Sequence, residues 1–284
     1  MNPNDVNFVI YHKGCPDGIT AAYAAWKLLG DSAKYCAAAH GETPPDVTDK
    51  NVVILDFSYD RNTIEKMSHS ANNLVVVDHH KSAEAALKGL PGMIFDMGHS
   101  GAYLAWVYFH PNTEVPKFVL HIEDRDLWKW EVPDSAEFCI AFDMLDYDLN
   151  KIDKCSDENV VTKMIEQGKV LTTYKEHNIS RIADTACVRR FLGHNALVVN
   201  SSVWMSEIGS ILSKECDVAF IWSWSHKRKV HRVSLRSFYD HVDCSELAKV
   251  FGGGGHKKAA GFAYEGNKNI ETIFDNTQRA EENS

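Results

Sequence analysis

The chain has 284 residues, of which 44% are hydrophobic and 24% charged, and its formal net charge is −9. This composition is typical of a globular protein, and the length is sufficient for two domains with a sizeable core. No segment approaches the roughly 18 consecutive apolar residues that a membrane-spanning helix needs, so we expect no membrane partner.

Three short apolar runs in the first third of the chain are typical of strands buried on both faces. Each run leads into polar residues: 6–11 is followed by His12, 52–55 by Asp56, and 74–77 by Asp78, His79 and His80. Helical patterns at 20–29 and 62–70 lie between these runs. The alternation of strand and helix predicts a parallel sheet with right-handed crossovers.

These polar strand ends have a predictable meeting place. The carboxyl ends of parallel strands lie at one edge of a sheet, where open α/β proteins bind their ligands. We expect the three ends to gather there with Asp17, from the turn at 13–18. A single His or Asp after a strand is usually a turn or cap residue, but three that converge are not explained in this way. Carboxylates and imidazoles suit Mn(II), Mg(II) or a related ion.

The second half of the chain has a different organisation. Residues 156–184 carry apolar positions at helical spacing, which predicts one long helix or a helix pair. Strand-like runs follow at 196–199, 218–224 and 230–235, and the last two flank a basic hairpin turn. We predict an α/β protein with a parallel-sheet domain over 1–150, a helical linker over 151–185 and a smaller α/β domain over 186–284.

Charge is divided unevenly between these halves. Residues 1–150 carry 11 Lys and Arg against 22 Asp and Glu, whereas residues 186–262 carry 11 against 6. An acidic half suits bound cations and a basic half suits an anionic substrate, although surface charge also varies between domains without any such role.

The seven cysteines are scattered and form no C-x-x-C pair. This pattern argues against a disulfide framework or a structural zinc site. The first five residues lack the basic and apolar regions of a secretory signal. We therefore expect a cytoplasmic protein.

A second motif consists of four consecutive glycines, Gly252 to Gly255, before His256, Lys257 and Lys258. Glycine lets an anion approach backbone N–H groups closely, and the basic side chains add donors. The spacing matches neither a P-loop nor a dinucleotide-binding fingerprint. We predict a phosphate- or carboxylate-binding turn before a helix-like start, with a flexible linker as the alternative.

The Asp-His-His strand end and the later Gly-Gly-Gly-Gly-His-Lys-Lys-Ala-Ala-Gly element occur together in this order. The chain thereby resembles the DHH phosphoesterase superfamily with its C-terminal DHH-associated domain, over nearly its whole length to about Phe262. Members include the exonuclease RecJ, nanoRNases, cyclic-dinucleotide phosphodiesterases, inorganic pyrophosphatases and exopolyphosphatases. The resemblance implies a manganese-dependent phosphoesterase with two Mn(II) ions, for which Mg(II) or Co(II) are substitutes.

The resemblance also implies roles for single residues. It places metal ligands at His12, Asp17, Asp56, His79 and Asp124, with Asp126 as the competitor of Asp124. His80 would face the phosphate, and Asp78 would act as an orienting residue or as a ligand. Both are therefore assigned to catalysis. Substrate-binding positions fall on Ser100, Arg236, Gly253, Gly254, Gly255 and His256.

One position departs from the family pattern, because the first aspartate of its first motif falls on Cys15. A thiolate is a softer ligand than a carboxylate and suits Mn(II) less well. We expect Cys15 to be a packing residue, with His12, Asp56 and water holding the ion. A ligand role for the sulfur is the alternative.

Within the family we favour a nanoRNase-like phosphodiesterase that hydrolyses short RNA or a linear dinucleotide to mononucleotides with a two-metal-activated water. RecJ-like enzymes grip long strands with added domains, for which this chain is too short and too acidic. Tyr103, Trp128 and Trp130 offer stacking surfaces for a base, or are core residues. The alternatives are an inorganic pyrophosphatase or exopolyphosphatase, a cyclic-dinucleotide phosphodiesterase, and an inactive nucleotide-binding regulator, which Cys15 motivates. Cleavage polarity and a homodimeric state remain open.

Overall fold

The structure, a computed structural model, describes residues 1–275. The chain divides into two compact units, with the division between Thr172 and Thr173. Both units combine a β-sheet with helices, as the α/β prediction requires.

The first unit is built on a five-stranded, fully parallel sheet in the order β2-β1-β3-β4-β5. Its strands are β1 Phe8–His12, β2 Lys34–Ala38, β3 Asn51–Leu55, β4 Asn73–Asp78 and β5 Met93–Phe95. The three strands predicted from apolar runs are confirmed as β1, β3 and β4. The edge strands β2 and β5 are only partly buried and carry no continuous apolar run, so the sequence did not indicate them.

Helices cover both faces of this sheet, which explains why its central strands are apolar throughout. They are α1 Pro16–Leu29, α2 Arg61–Ser70, α3 Lys81–Leu87, α4 Gly101–Phe109, α5 Lys117–Asp126, α6 Ser135–Phe142 and α7 Leu149–Asp153. One core contains Tyr23, Trp106 and Phe118, and the other contains Phe57 and Ile64. The strand order reverses between β1 and β3, and such switch points are where open α/β sheets bind ligands.

A single 26-residue helix, α8 Glu158–Ala183, follows. Val161 and Met164 belong to the core of the first unit, and Ile179 belongs to a core of the second. The apolar spacing at 156–184 therefore reports one helix rather than a pair. Among the described residues, no helix combines the length and the apolar composition needed to cross a membrane.

The second unit contains a six-stranded sheet in the order β10-β11-β9-β8-β7-β6, in which only β7 and β8 are parallel. Its strands are β6 Cys187–Phe191, β7 His194–Asn200, β8 Val218–Ser225, β9 Val230–Arg236, β10 Gly254–His256 and β11 Ala259–Glu265, and its helices are α9 Met205–Leu212 and α10 Cys244–Lys249. The three predicted strands and the basic hairpin turn are confirmed.

The glycine run forms a β-hairpin with the residues that follow it, so the predicted helix-like start is wrong. Gly254 to His256 pair with Ala259 to Gly261 in antiparallel register. A Cβ atom on Gly253 would lie 2.3 Å from the carbonyl oxygen of Gly261, and one on Gly255 would lie 2.5 Å from Cα of Ala260. The glycines therefore permit a close approach of two backbones, which a sheet uses here and a helix would not.

Candidate metal centre

The polar strand ends of β1, β3 and β4 meet at the predicted edge. His12 is the last residue of β1, Asp56 follows β3, and His79 follows β4. His79 Nε2 lies 3.2 Å from Asp56 Oδ1, and His12 Nδ1 lies 3.4 Å from Asp56 Oδ2. The two oxygens of one carboxylate thus face two different imidazoles.

Two further carboxylates complete the group. Asp17 lies in the first turn of α1 and Asp126 is the last residue of α5. His79 Nε2 is 3.9 Å from Asp17 Oδ2 and 3.5 Å from Asp126 Oδ2. We call these five residues the His–Asp cluster: His12, Asp17, Asp56, His79 and Asp126.

Helix α4 approaches the cluster with its N-terminus. The backbone N–H groups of Gly101 and Ala102 donate to the carboxylate of Asp17, at 2.7 and 3.0 Å. Free N–H groups at a helix start are suited to a negative charge. A Cβ atom on Gly101 would lie 2.4 Å from Cβ of Asp56, so only glycine lets the helix come this close.

A second glycine supports the opposite side of the cluster. A Cβ atom on Gly18, in α1, would lie 2.3 Å from the carbonyl oxygen of His12. Asp56 itself has a φ of 55°, in the left-handed region that Asp tolerates better than most residues. This turn redirects the chain immediately after β3 and places the carboxylate over the strand ends.

Asp78 and His80 form a pair beside the cluster. Asp78 is fully buried, and its Oδ1 accepts hydrogen bonds from the backbone N–H of His79 at 2.7 Å and from His80 Nδ1 at 2.7 Å. This contact to Asp78 raises the pKa of His80, although partial burial opposes it. His80 is exposed over 42% of its side chain, so its imidazole is presented to the surroundings.

Burial disfavours the negative charges of the cluster carboxylates. Burial raises the pKa of Asp17 well above its usual value, and the charges of Asp56 and Asp126 add to this effect. Burial likewise raises the pKa of Asp126, against the attraction of His79. For Asp56, burial acts in the same direction, but His12 and His79 outweigh it and lower the pKa to about 2.

These residues fit a divalent cation. Three of the buried ligand atoms have no hydrogen-bond partner among the described residues: His12 Nδ1, Asp56 Oδ2 and Asp78 Oδ2. Buried polar atoms are normally hydrogen-bonded. A cation would coordinate these lone pairs and offset the repulsion between the carboxylates. Among the described residues, three groups each have ligand atoms within 4.8 Å of one another: Asp56, Asp78, His79 and His80; His12, Cys15 and Asp56; Asp17, His79 and Asp126.

Cys15 belongs to one of those groups. It is the N-cap residue of α1, and its sulfur lies within 4.8 Å of ligand atoms of His12 and Asp56. Burial, together with the charges of Asp56 and Asp17, raises the pKa of this thiol to about 12. The side chain is thus a neutral thiol at ordinary pH, within reach of the cluster.

The structure revises the choice between Asp124 and Asp126. Asp126 contributes to the His–Asp cluster, whereas the Asp124 carboxylate accepts backbone hydrogen bonds from Glu131 at 2.8 Å and Val132 at 3.2 Å. Residues two positions apart on a helix point about 200° apart, so only one of Asp124 and Asp126 can face the cluster. The competitor, Asp126, is the residue in position.

Ser100 also receives a different role from the one expected. It is fully buried, and its hydroxyl accepts a hydrogen bond from the backbone N–H of Tyr103 as the N-cap of α4. Its own N–H donates to Glu123 at 3.1 Å. Ser100 therefore positions the helix start that holds Asp17, and it offers no surface to a substrate. Nothing in the sequence indicated Glu123 as its partner.

The second unit carries a groove of about 460 Å³. Its lining residues include Ser206, Arg232, Ser234, Arg236, Gly254 and Gly255. The Arg236 guanidinium donates to the hydroxyls of Ser234 at 2.9 Å and Ser206 at 3.0 Å, which fixes its orientation. Gly253 and the exposed His256 flank the lining glycines in sequence, and Arg232 is an addition to the predicted set.

Two curated proteins are similar in sequence. The uncharacterized protein R106 of Acanthamoeba polyphaga mimivirus is 32% identical over 293 residues, covering 94% of this chain and 70% of that protein. Oligoribonuclease NrnB of Bacillus subtilis (strain 168) is 25% identical over 236 residues, covering 73% of this chain and 58% of NrnB. No protein-family model matches the chain.

Solved structures share the fold. The DHH domain of a protein from a ribosomal-protein family aligns with a TM-score of 0.57 at 13% identity, covering 95% of this chain and 85% of that one. RecJ of Thermus thermophilus in complex with Mn²⁺ gives 0.54 at 12% identity, with 93% and 50% covered. The pGpG-specific phosphodiesterase PggH of Vibrio cholerae gives 0.51 at 17% identity, with 92% and 93% covered.

Proposed function

We propose that this member of the DHH phosphoesterase superfamily is a metal-dependent phosphodiesterase that hydrolyses short oligoribonucleotides or linear dinucleotides to mononucleotides. The observation that carries the proposal is the position of Asp56. Its two oxygens face His12 on one side and His79 on the other, and the remaining cluster carboxylates lie beside His79.

A carboxylate placed between two ligand groups is suited to bridge two cations. In this proposal, His12 and Asp56 would hold one ion, and Asp17, Asp56, His79 and Asp126 would hold a second. Oxygen and imidazole donors favour Mn(II), with Mg(II) or Co(II) as substitutes. When bound, such ions polarise phosphoryl oxygens and lower the pKa of water.

His80 supplies the proton chemistry in this proposal. Asp78 lies 2.7 Å from its Nδ1 and raises the pKa of His80, which favours a protonated imidazole with Nε2 as a second donor. A protonated imidazole donates a hydrogen bond to a phosphoryl oxygen or a proton to the leaving oxygen. Asp78 is the positioning residue that fixes this orientation.

The substrate class rests on two supports. NrnB, at 25% identity, is an oligoribonuclease, and PggH, which shares the fold, is specific for pGpG. The groove of the second unit offers two guanidinium groups and the backbone of a glycine hairpin, which are suited to a phosphate group of a short nucleic acid. We assign Arg236, Gly253, Gly254, Gly255 and His256 to that anchoring role.

The test is a substrate panel with the purified protein and Mn(II). It compares pGpG, pApA, RNAs of two to ten nucleotides, cyclic dinucleotides, pyrophosphate, polyphosphate and adenosine 3′,5′-bisphosphate. The variant Asp56→Asn is the matched control, since it keeps the shape of the side chain and removes the charge between the two ligand groups. We expect the shortest RNAs and the linear dinucleotides to be consumed fastest, and Asp56→Asn to abolish turnover.

Other outcomes identify the alternatives. Preferred hydrolysis of pyrophosphate or polyphosphate would assign the protein to the inorganic branch, and preferred hydrolysis of a cyclic dinucleotide would assign it to the cyclic branch. Binding of a nucleotide without turnover under any metal would indicate a regulator. Near-normal turnover by folded Asp56→Asn would refute the bridging role.

A further inference from the structure

Two tryptophans lie exposed immediately after the cluster residue Asp126. Trp128 is 53% exposed and Trp130 is 40% exposed, and their rings meet edge to face with centroids 5.1 Å apart. Tryptophan is usually largely buried in a folded protein, and paired exposed indoles are typical of binding surfaces. We call residues 127–132 the tryptophan loop.

The backbone of this loop is held in an unfavourable conformation. Trp128 and Trp130 both have a φ of 55°, in the left-handed region that bulky residues rarely occupy. Such conformations persist only where the surroundings impose them, and they cluster at functional sites. The loop is therefore fixed in a shape that its own sequence disfavours.

Asp124 holds the tryptophan loop in this conformation. It is 3% exposed, its backbone carbonyl accepts from the N–H of Lys129 at 2.9 Å, and its carboxylate accepts from Glu131 and Val132. The buried acid thus grips the loop on both sides of Trp130. Asp124, which is not part of the His–Asp cluster, therefore holds the loop in the conformation that exposes the two indoles.

The loop lies beside the cluster within the first unit. Asp126, two residues before Trp128, is 3.5 Å from His79. Lys129 Nζ donates to the carbonyl of Gly98 at 3.5 Å, and the segment that starts there continues to Gly101, which donates to Asp17. The tryptophan loop is thus linked to two carboxylates of the cluster: to Asp126 along the chain, and to Asp17 through the segment from Gly98 to Gly101.

We propose that the tryptophan loop is a base-stacking surface, on which Trp128 and Trp130 bind a nucleobase of the nucleotide substrate. The inference rests on the proposed function and deepens it, since it names the part of the substrate that is recognised. Indole faces stack on any base, and the stacking needs no particular sequence. An inorganic phosphate chain has no such face and would gain nothing from the loop.

The experiment compares Trp128→Ala, Trp130→Ala and the two Trp→Phe variants on two substrates. One is pGpG, and the other is the same backbone with both bases absent. For each Trp→Ala variant we expect KM for pGpG to rise roughly 5- to 150-fold, the usual worth of one stacked base, with kcat changed less than about twofold. Hydrolysis of the abasic substrate should be unchanged, and the phenylalanine variants should retain most of the affinity.

A binding measurement separates this inference from the proposed function. A non-hydrolysable methylenephosphonate analogue of pGpG should quench the tryptophan fluorescence of the wild type, and the double Trp→Ala variant should lose that quenching. If the wild type binds the analogue in this way but hydrolyses no nucleic acid, the proposed function falls and the stacking surface stands.

Three results would overturn the inference. The first is absence of any binding of the analogue to the wild type. The second is an equal loss on pGpG and on the abasic substrate. The third is a Trp→Ala variant, folded by circular dichroism, that keeps normal KM but changes from dimer to monomer in sedimentation, because the indoles would then form an interface between two copies of the chain.

Discussion

Asp126 and Asp124 lie in one helix turn but have different roles. Asp126 reaches His79, and Asp124 is turned away to bind backbone N–H groups of the tryptophan loop. Both are carboxylates in the same short motif, so composition alone does not distinguish them. Their hydrogen-bond partners do.

We predict that Asp126→Asn lowers the affinity for Mn(II), whereas Asp124→Asn leaves it nearly unchanged. The loss for Asp126→Asn should exceed about tenfold, because outer-shell partners of metals already contribute 10- to 100-fold. Isothermal titration with Mn(II) measures both variants, and each serves as the control for the other. Equal losses would return Asp124 to the ligand set. Asp124→Asn should instead raise KM for pGpG, through the tryptophan loop.

Cys15 is the residue at which the chain departs from its family. The thiol lies beside His12 and Asp56, and burial together with the neighbouring carboxylates raises its pKa to about 12. Only a minute fraction is thiolate at pH 7.5, and the thiolate is the reactive form. A neutral thiol packs in the site without adding to its negative charge.

We predict that Cys15 in metal-free protein reacts with iodoacetamide far more slowly than the exposed Cys187, by at least about tenfold at pH 7.5. Peptide mass spectrometry after timed alkylation measures both rates in one sample. Cys15→Ser should retain most of the activity. Rapid alkylation of Cys15 that Mn(II) suppresses, together with an inactive serine variant, would instead make the sulfur a metal ligand.

At the scale of elements, the cluster depends on how closely helices approach strand ends. The N-terminus of α4 meets Asp17 and Asp56 only because Gly101 has no side chain. The start of α1 meets His12 in the same way through Gly18. These glycines are part of the site although neither has a ligand atom.

We predict that Gly101→Ala destabilises the protein by about 1–3 kcal/mol, the usual cost of overpacking a tight site. It should also weaken Mn(II) binding, because the added carbon would displace Asp56 or Asp17. Thermal unfolding and metal titration measure the two effects. Gly98→Ala is the matched control, since its added carbon would meet only the flexible Asp96 carboxylate, at 3.1 Å. Similar effects of both substitutions would contradict the close-approach argument.

The sequence predicted the elements that have strong periodicity and missed those that depend on tertiary contacts. The apolar runs before His12, Asp56 and His79 identified the central strands, because burial on both faces leaves an unbroken signal. The glycine run gave no such signal, and its hairpin form comes from pairing with Ala259 to Gly261. The orientation of Asp124 and the burial of Ser100 are set by contacts with distant or irregular backbone, which no local pattern reports.

At the scale of the whole molecule, the two units differ in the charge they present. The first unit concentrates carboxylates and imidazoles at one sheet edge, and the second lines a groove with Arg232 and Arg236. This contrast agrees with the uneven charge of the two halves of the sequence. In the proposed function, cations would act on the phosphoryl group to be cleaved, and guanidinium groups would hold another phosphate.

We predict that Arg236→Ala and His256→Ala raise KM for a short RNA without changing Mn(II) affinity. A charge-assisted hydrogen bond contributes about 1.5–3 kcal/mol, which corresponds to a rise in KM of roughly 10- to 150-fold. Arg236→Lys should recover only part of the loss, because lysine keeps the charge but not the fork that Ser206 and Ser234 orient. A chromogenic phosphodiester, too small to carry a second phosphate, should be hydrolysed by all three variants at the wild-type rate. If its hydrolysis fell in proportion, these residues would act at the reacting phosphate, and the anchoring role of the second unit would have to be abandoned.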